Sequence, residues 1–406
     1  MAGRKIRHHA PAAAPEGTAP PEGTGRTAGT AGTDGTGRTG RTAGTAGPAS
    51  RRTRWRRGLG GAVVAHVQTW RPYTLAHPAL VGVAGASSAG GGHRPGVLGL
   101  AAGAPALGWL AGHYLGDWFD RELDAIAKPQ RPIPSGRLSP GAALAGGTAC
   151  AAGAALILAV VNWRTLLLFV VAMAGIVAYS RFCKGRGISG NAVRGVLTAL
   201  AFAVGAMLAR SDPPARAFAP ALVFLLHDTS SNLVGTIRDV DGDRAGGYLS
   251  VPVRRGVGPA ARLAAALYAG AVAVAVAVVV LLPTAHPGAC AVLLGVAAAV
   301  ALAAFGPLLR GTRPAGPAGP GPGVQRTALR AHEVLVVERL VLTAAVVAAG
   351  AGAPVALCLL APLLAFSVVT QAVMRARHEL PPPAAAQAGD ARGPGTSGTD
   401  RKAYQP

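Results

Sequence analysis

About ten apolar stretches follow one another along this chain, each roughly 18–23 residues long and nearly free of charge. A helix of that length crosses a hydrocarbon layer about 30 Å thick, and few other structures satisfy their backbone polar groups inside lipid. The stretches lie near residues 73–92, 97–119, 139–161, 164–180, 191–209, 217–237, 259–282, 287–308, 333–350 and 354–374. Pro362 interrupts the last, and a Gly/Pro-rich linker at 311–323 precedes the final pair. The expected fold is therefore all-α, a polytopic transmembrane helical bundle. Composition agrees: 50% of the 406 residues are hydrophobic and 14% charged, where a soluble domain carries about 25% charged residues.

Residues 1–57 differ sharply from the rest of the chain. GRTAGTAG occurs twice, at Gly25–Gly32 and Gly40–Gly47. Small polar residues cannot bury enough apolar area to offset ordering, so the segment is expected to be a disordered tail. It ends in the basic cluster Arg51–Arg57, a candidate anchor for anionic lipid at the cytoplasmic face. The membrane domain is expected over 58–376, with a second disordered tail at 377–406.

The net charge of +22 does not point to nucleic acid. Much of it lies in the N-terminal tail, and the rest gathers in short loops between apolar stretches. Alternate loops carry Arg121, Lys128, Arg131 and Arg137, then Arg181, Lys184, Arg186 and Arg194, then Arg238, Arg244, Arg254 and Arg255. The opposite loops carry few basic residues, so the rich set and the N-terminus are expected in the cytoplasm. Cys150, Cys183, Cys290 and Cys358 are widely spaced, without CxxC, and indicate neither zinc nor a disulfide framework. No obligate protein partner is indicated.

Acidic residues concentrate at two places on the basic side. In GDWFDRELD, Asp117, Asp120 and Asp124 recur at helical spacing, spanning about 10 Å of one face. In HDTSSNLVGTIRDVDGD, Asp228, Asn232, Asp239 and Asp243 do the same. Carboxylates at a membrane edge are costly to desolvate, so two stacks imply a task. Mg²⁺ binds through a few carboxylates plus substrate phosphate, and facing clusters suit a magnesium diphosphate. Lys128, Arg131, Lys184 and Arg244 are candidates to neutralise further phosphate charge. Tyr114, Trp118 and Phe119 are candidates to face a carbocation; His113, one turn before Asp117, is a candidate to line the acceptor site, though it and His227 read first as packed histidines. A transporter would instead place its acids near the bilayer midplane.

These motifs resemble those of the UbiA superfamily of intramembrane prenyltransferases. Gly116–Asp124 with Lys128–Arg137 resembles its NDxxDxxxD signature and trailing KPxRPIPSGR loop, with Gly116 standing where the family has Asn. Asp239–Asp243 resembles its DxxGD signature, and YSRFCKGRGISGN at 179–191 resembles its YSxxxK…GN loop. The resemblance covers about residues 68–375. It implies a bundle of nine membrane helices around a central cavity; the apolar stretches number one more. It further implies Mg²⁺ ligation by Asp117, Asp120, Asp124, Asp239 and Asp243, with Asn232 a further candidate. Arg71, Tyr179 and Lys184 would contact the diphosphate. The implied reaction is Mg²⁺-dependent prenyl transfer from a prenyl diphosphate to an acceptor, expected to be an aromatic ring. Membrane terpene cyclisation is the alternative within the same chemistry, and the resemblance also allows lipid-like acceptors such as a glycerol phosphate.

Overall fold

The structure is a computed structural model that describes residues 60–312 and 323–374. The expected tails at 1–57 and 377–406 lie outside the described residues. Helix α1 covers residues 60–70 and a 3-10 turn, Pro72–Thr74, follows it. The chain then forms α2 (Ala76–Ser88), α3 (Pro95–Phe119), α4 (Arg121–Ala127), α5 (Pro140–Asn162), α6 (Thr165–Ala178) and α7 (Ser189–Ala209). After these come α8 (Ala221–Arg238), α9 (Val240–Ala245), α10 (Val251–Arg255), α11 (Val257–Leu281), α12 (Pro287–Gly311), α13 (Val324–Ala351) and α14 (Ala353–Met374). Proline opens α3, α5 and α12, where its missing N–H costs nothing. Ser139 caps α5 by accepting from the Ala142 N–H at 3.1 Å. Gly352, at φ 85°, separates α13 from α14, and α14 runs unbroken through Pro362.

Among the described residues eight helices are long and apolar enough to cross a membrane: α3, α5, α6 with the turn after it, α7, α11, α12, α13 and α14. The sequence expectation of nine or ten also counted the stretches that became α2 and α8. With 13 residues α2 is short, and α8 carries His227, Asp228, Thr229, Ser230, Ser231 and Asn232 in succession. Both pack inside the bundle, α2 against α3, α7 and α13, and α8 against α7, α11 and α13. A helix surrounded by protein need not be apolar, so length and composition alone undercount such elements. The lipid-facing side is marked by exposed Leu156, Val160, Leu167, Val170, Val280 and Leu281.

Small residues bring α2, α3 and α7 into backbone contact. A Cβ on Gly82 would lie 1.9 Å from the Ala101 carbonyl oxygen, and one on Gly205 would lie 1.9 Å from that of Gly82. Close approach of this kind replaces the hydrophobic driving force that lipid removes. A polar staple joins three other helices. Glu338 on α13 is fully buried, accepting from the Tyr268 hydroxyl on α11 at 2.8 Å and meeting His227 Nε2 on α8 at 2.7 Å.

Candidate active site

The acidic motifs lie at breaks in helices, a departure from the continuous helical faces expected. Asp117 is on the last turn of α3, Asp120 forms its C-cap, and Asp124 belongs to α4. Likewise Asn232 is on α8, Asp239 caps that helix, and Asp243 belongs to α9. The breaks turn both segments across the mouth of a single cavity of about 570 Å³, lined by all five aspartates and Asn232. Its deeper wall is apolar, formed by Leu158, Leu168, Phe169, Met173, Ile176 and Val204.

Most of these carboxylates already face a base. Arg71 donates to Asp117 Oδ1 at 2.5 Å, Arg131 to Asp124 Oδ2 at 2.5 Å, and Lys184 to Asp120 Oδ2 at 2.5 Å. Arg238 grips both oxygens of Asp239 at 2.9 and 2.6 Å. The protein around Asp239 disfavours its charged form, but the Arg238 guanidinium outweighs this and holds the carboxyl well below the usual range. Burial pushes the Asp243 carboxyl up, and the charge of Asp239 adds to that. Burial works against the Lys184 ammonium too, yet Asp120 beside it raises Lys184 above its ordinary value. Lys128 also lines the cavity, and burial lowers its pKa.

Local backbone features aim several of these groups. Arg71 is left-handed, with φ 48°, the single non-glycine residue at positive φ among the described residues. Such a conformation costs about 1–3 kcal/mol and persists where the surroundings over-determine it. Here Arg71 reaches Asp117, and Nη1 lies 3.1 Å from His113 Nδ1. Tyr179 opens a π-helical turn, Tyr179–Cys183, immediately before Lys184. Two short strands, β1 (Arg186–Gly187) and β2 (Leu249–Ser250), pair in parallel and tie this loop to the one after α9. Tyr248 crosses Gly185 there, where a Cβ would lie 2.7 Å from the ring.

Several sequence expectations are corrected. Arg244 is exposed and does not itself line the cavity, whereas its partner Asp241, 3.0 Å away, does; Arg238, which grips Asp239, is the arginine of this segment that lines it. Asp228 is buried behind the wall, accepting from Thr198 at 2.7 Å. Tyr114 is buried and receives the Trp70 indole N–H at 2.6 Å. Trp118 and Phe119 pack on one another, 5.1 Å between centroids. None of these three rings lines the cavity; Trp109, Phe169, Tyr179 and Tyr248 do. Arg194, counted among loop charges, stands on α7 and lines the cavity, as does Asn191, which donates to Asn232 at 2.9 Å. Arg194 carries a sequence signal of its own: its helix places it one turn after Asn191, inside the apolar stretch.

The donor set suits a magnesium diphosphate. Among the described residues no three acidic, His or Cys side chains already converge as a closed metal cage. Magnesium sites that use one or two carboxylates with water and substrate phosphate have that character.

The sequence profile of the UbiA prenyltransferase family matches residues 75–317. The digeranylgeranylglyceryl phosphate synthase of Halobacterium salinarum is 34% identical over 206 residues, covering 50% of this chain and 74% of that protein. The enzyme of the same name from Methanopyrus kandleri is 32% identical over 200 residues, 49% of this chain and 73% of that protein. Among solved structures, a digeranylgeranylglyceryl phosphate synthase superposes with a TM-score of 0.55 at 19% identity, covering 72% of this chain and 99% of that one. A UbiA homolog from Archaeoglobus fulgidus bound to GPP and Mg²⁺ gives 0.51 at 15% identity, covering 68% and 99%. These two likenesses concern the fold.

Proposed function

This chain belongs to the UbiA prenyltransferase family, and on that premise we propose Mg²⁺-dependent transfer of a prenyl group from an allylic diphosphate to the hydroxyl of a phosphate-bearing glyceryl ether. The observation that carries the donor half is one cavity whose mouth gathers five aspartates from two separate helix breaks, with bases beside them. The acceptor half draws on the relatives' names. The aromatic ring expected from sequence enters as the competing acceptor.

In this reading Asp117, Asp120, Asp124, Asp239 and Asp243 hold the metal. When bound, Mg²⁺ neutralises charge on the diphosphate and on the departing pyrophosphate. Arg71, Arg131, Lys184 and Arg238 exchange their carboxylate partners for phosphate oxygens, so that ligand binding replaces existing ion pairs instead of desolvating free charges, and Lys128 adds a further positive charge beside them. Tyr179 and Asn232 orient the same group. The bond from the allylic carbon to the diphosphate oxygen breaks, its electron pair leaving with pyrophosphate. A carbon–oxygen bond to the acceptor hydroxyl forms, and the hydroxyl proton passes to pyrophosphate or a cluster carboxylate. The apolar inner wall suits the prenyl chain and keeps water from the cation.

Purified protein should release pyrophosphate from geranylgeranyl diphosphate only with Mg²⁺, and faster when geranylgeranylglyceryl phosphate is present. Mass spectrometry should find the acceptor heavier by one prenyl unit. Transfer to 4-hydroxybenzoate alone would assign the aromatic acceptor instead. A cyclised hydrocarbon formed without acceptor would make the protein a cyclase, and flux across vesicles without pyrophosphate release a transporter.

The multi-pass orientation follows from charge. The motif loops are rich in Arg and Lys, so they and the N-terminus face the cytoplasm. In a variant without the four native cysteines, cysteines at Ser135 and Gly247 should resist an impermeant thiol reagent in intact cells. Labelling of both from outside would invert the topology.

A further inference from the structure

Arg194 differs from four of the bases at the cavity mouth. Arg71, Arg131, Lys184 and Arg238 each meet a carboxylate, whereas Arg194 has no acidic partner within ion-pair distance among the described residues. Its Nε is buried without a hydrogen bond. The guanidinium carbon stands 4.3 Å from the centroid of the Trp109 ring. That ring is fixed in turn, because its indole N–H donates to Thr74 Oγ1 at 3.1 Å. Both residues line the cavity.

The pair also lies deeper than the aspartates. Trp109 precedes Asp117 on α3 by roughly two turns, about 12 Å along the axis. Arg194 lies inside α7, which starts from the mouth-side loop. An arginine within a membrane helix is costly unless something compensates it. The ring face supplies part of that compensation, but no negative charge. His77 and His113, which feel its charge, are not anions either.

We propose that Arg194 and Trp109 form the acceptor subsite, with Arg194 binding an anionic oxygen group, phosphate or carboxylate, on the acceptor. Asp228 accepts from Thr198, one turn along α7 from Arg194, at 2.7 Å and is not an ion-pair partner of Arg194. The arrangement deepens the function proposed above, since it requires an acceptor distinct from the donor. It does not depend on the acceptor's being a glyceryl ether.

The test is equilibrium binding to the detergent-solubilised full chain, without donor or Mg²⁺. The probes are geranylgeranylglyceryl phosphate with its uncharged counterpart geranylgeranylglycerol, and 4-hydroxybenzoate with its methyl ester. The wild type should prefer the charged member of at least one pair. Arg194→Gln should weaken that member about tenfold or more, the scale of a lost charge-assisted hydrogen bond, and Arg194→Lys should restore part of it. Binding of geranylgeranyl diphosphate with Mg²⁺ should change little. Which pair responds identifies phosphate or carboxylate, and a response by the benzoate pair alone would sink the glyceryl reading while sustaining the subsite. Equal loss for charged and neutral members, or no loss, would overturn it. So would a wild type that binds charged and neutral acceptors alike, a result independent of how well any variant folds.

Discussion

Replacing Asp120 or Asp239 with alanine is expected to lower prenyl transfer by roughly two to three orders of magnitude, the scale on which one preorganised charged group is felt. The two residues come from different motifs, one capping α3 and the other capping α8, yet they line one cavity. Each loss also frees a base: Lys184 would lose the oxygen now 2.5 Å away, and Arg238 its paired grip. Asp120→Asn and Asp239→Asn separate charge from shape, since they keep volume and remove the anion. If metal ligation is the task, they should fall nearly as far as alanine. The assay is Mg²⁺-dependent pyrophosphate release by protein whose monodispersity in detergent matches the wild type. Near-normal, Mg²⁺-dependent rates in both alanine variants would end the two-cluster mechanism.

Glu338→Ala should destabilise the bundle by about 3–5 kcal/mol, as removal of one partner from a buried polar pair does. Its carboxylate is the meeting point of Tyr268 and His227, joining α13 to α11 and α8. The residue lies outside the cavity lining, so the effect should appear in the unfolding midpoint in detergent before it appears in the chemistry of surviving protein. Glu338→Gln retains an acceptor for Tyr268 and should lose much less. An unchanged midpoint for the alanine variant would mean that the staple does not hold α8 in place. That position matters to function because α8 delivers Asn232 and Asp239 to the cavity.

The membrane nature of the chain and the identity of its acidic motifs were legible from spacing and hydropathy. Asp117, Asp120, Asp124, Asp239 and Asp243 all reach the cavity, as do Arg71, Lys128, Arg131, Tyr179, Lys184 and Asn232. Periodicity misled at α8. Helix α8 is continuous from Asp228 to the cap at Asp239, yet Asp228 is buried against Thr198 and, unlike Asn232 and Asp239, does not line the cavity. Arg238 lines the cavity while Arg244 is exposed, a division that spacing did not show.

Local physics thus determined which segments enter lipid and which residue types gather at their ends, because apolar length and charge act on each segment separately. Only the tertiary structure decided which cation meets which carboxylate, which rings face the cavity, and that Arg194 stands there without an acid. Those outcomes depend on the mutual rotation of helices far apart in sequence. That rotation is set by contacts such as Gly82 on Ala101 and Glu338 between Tyr268 and His227, which no single segment encodes.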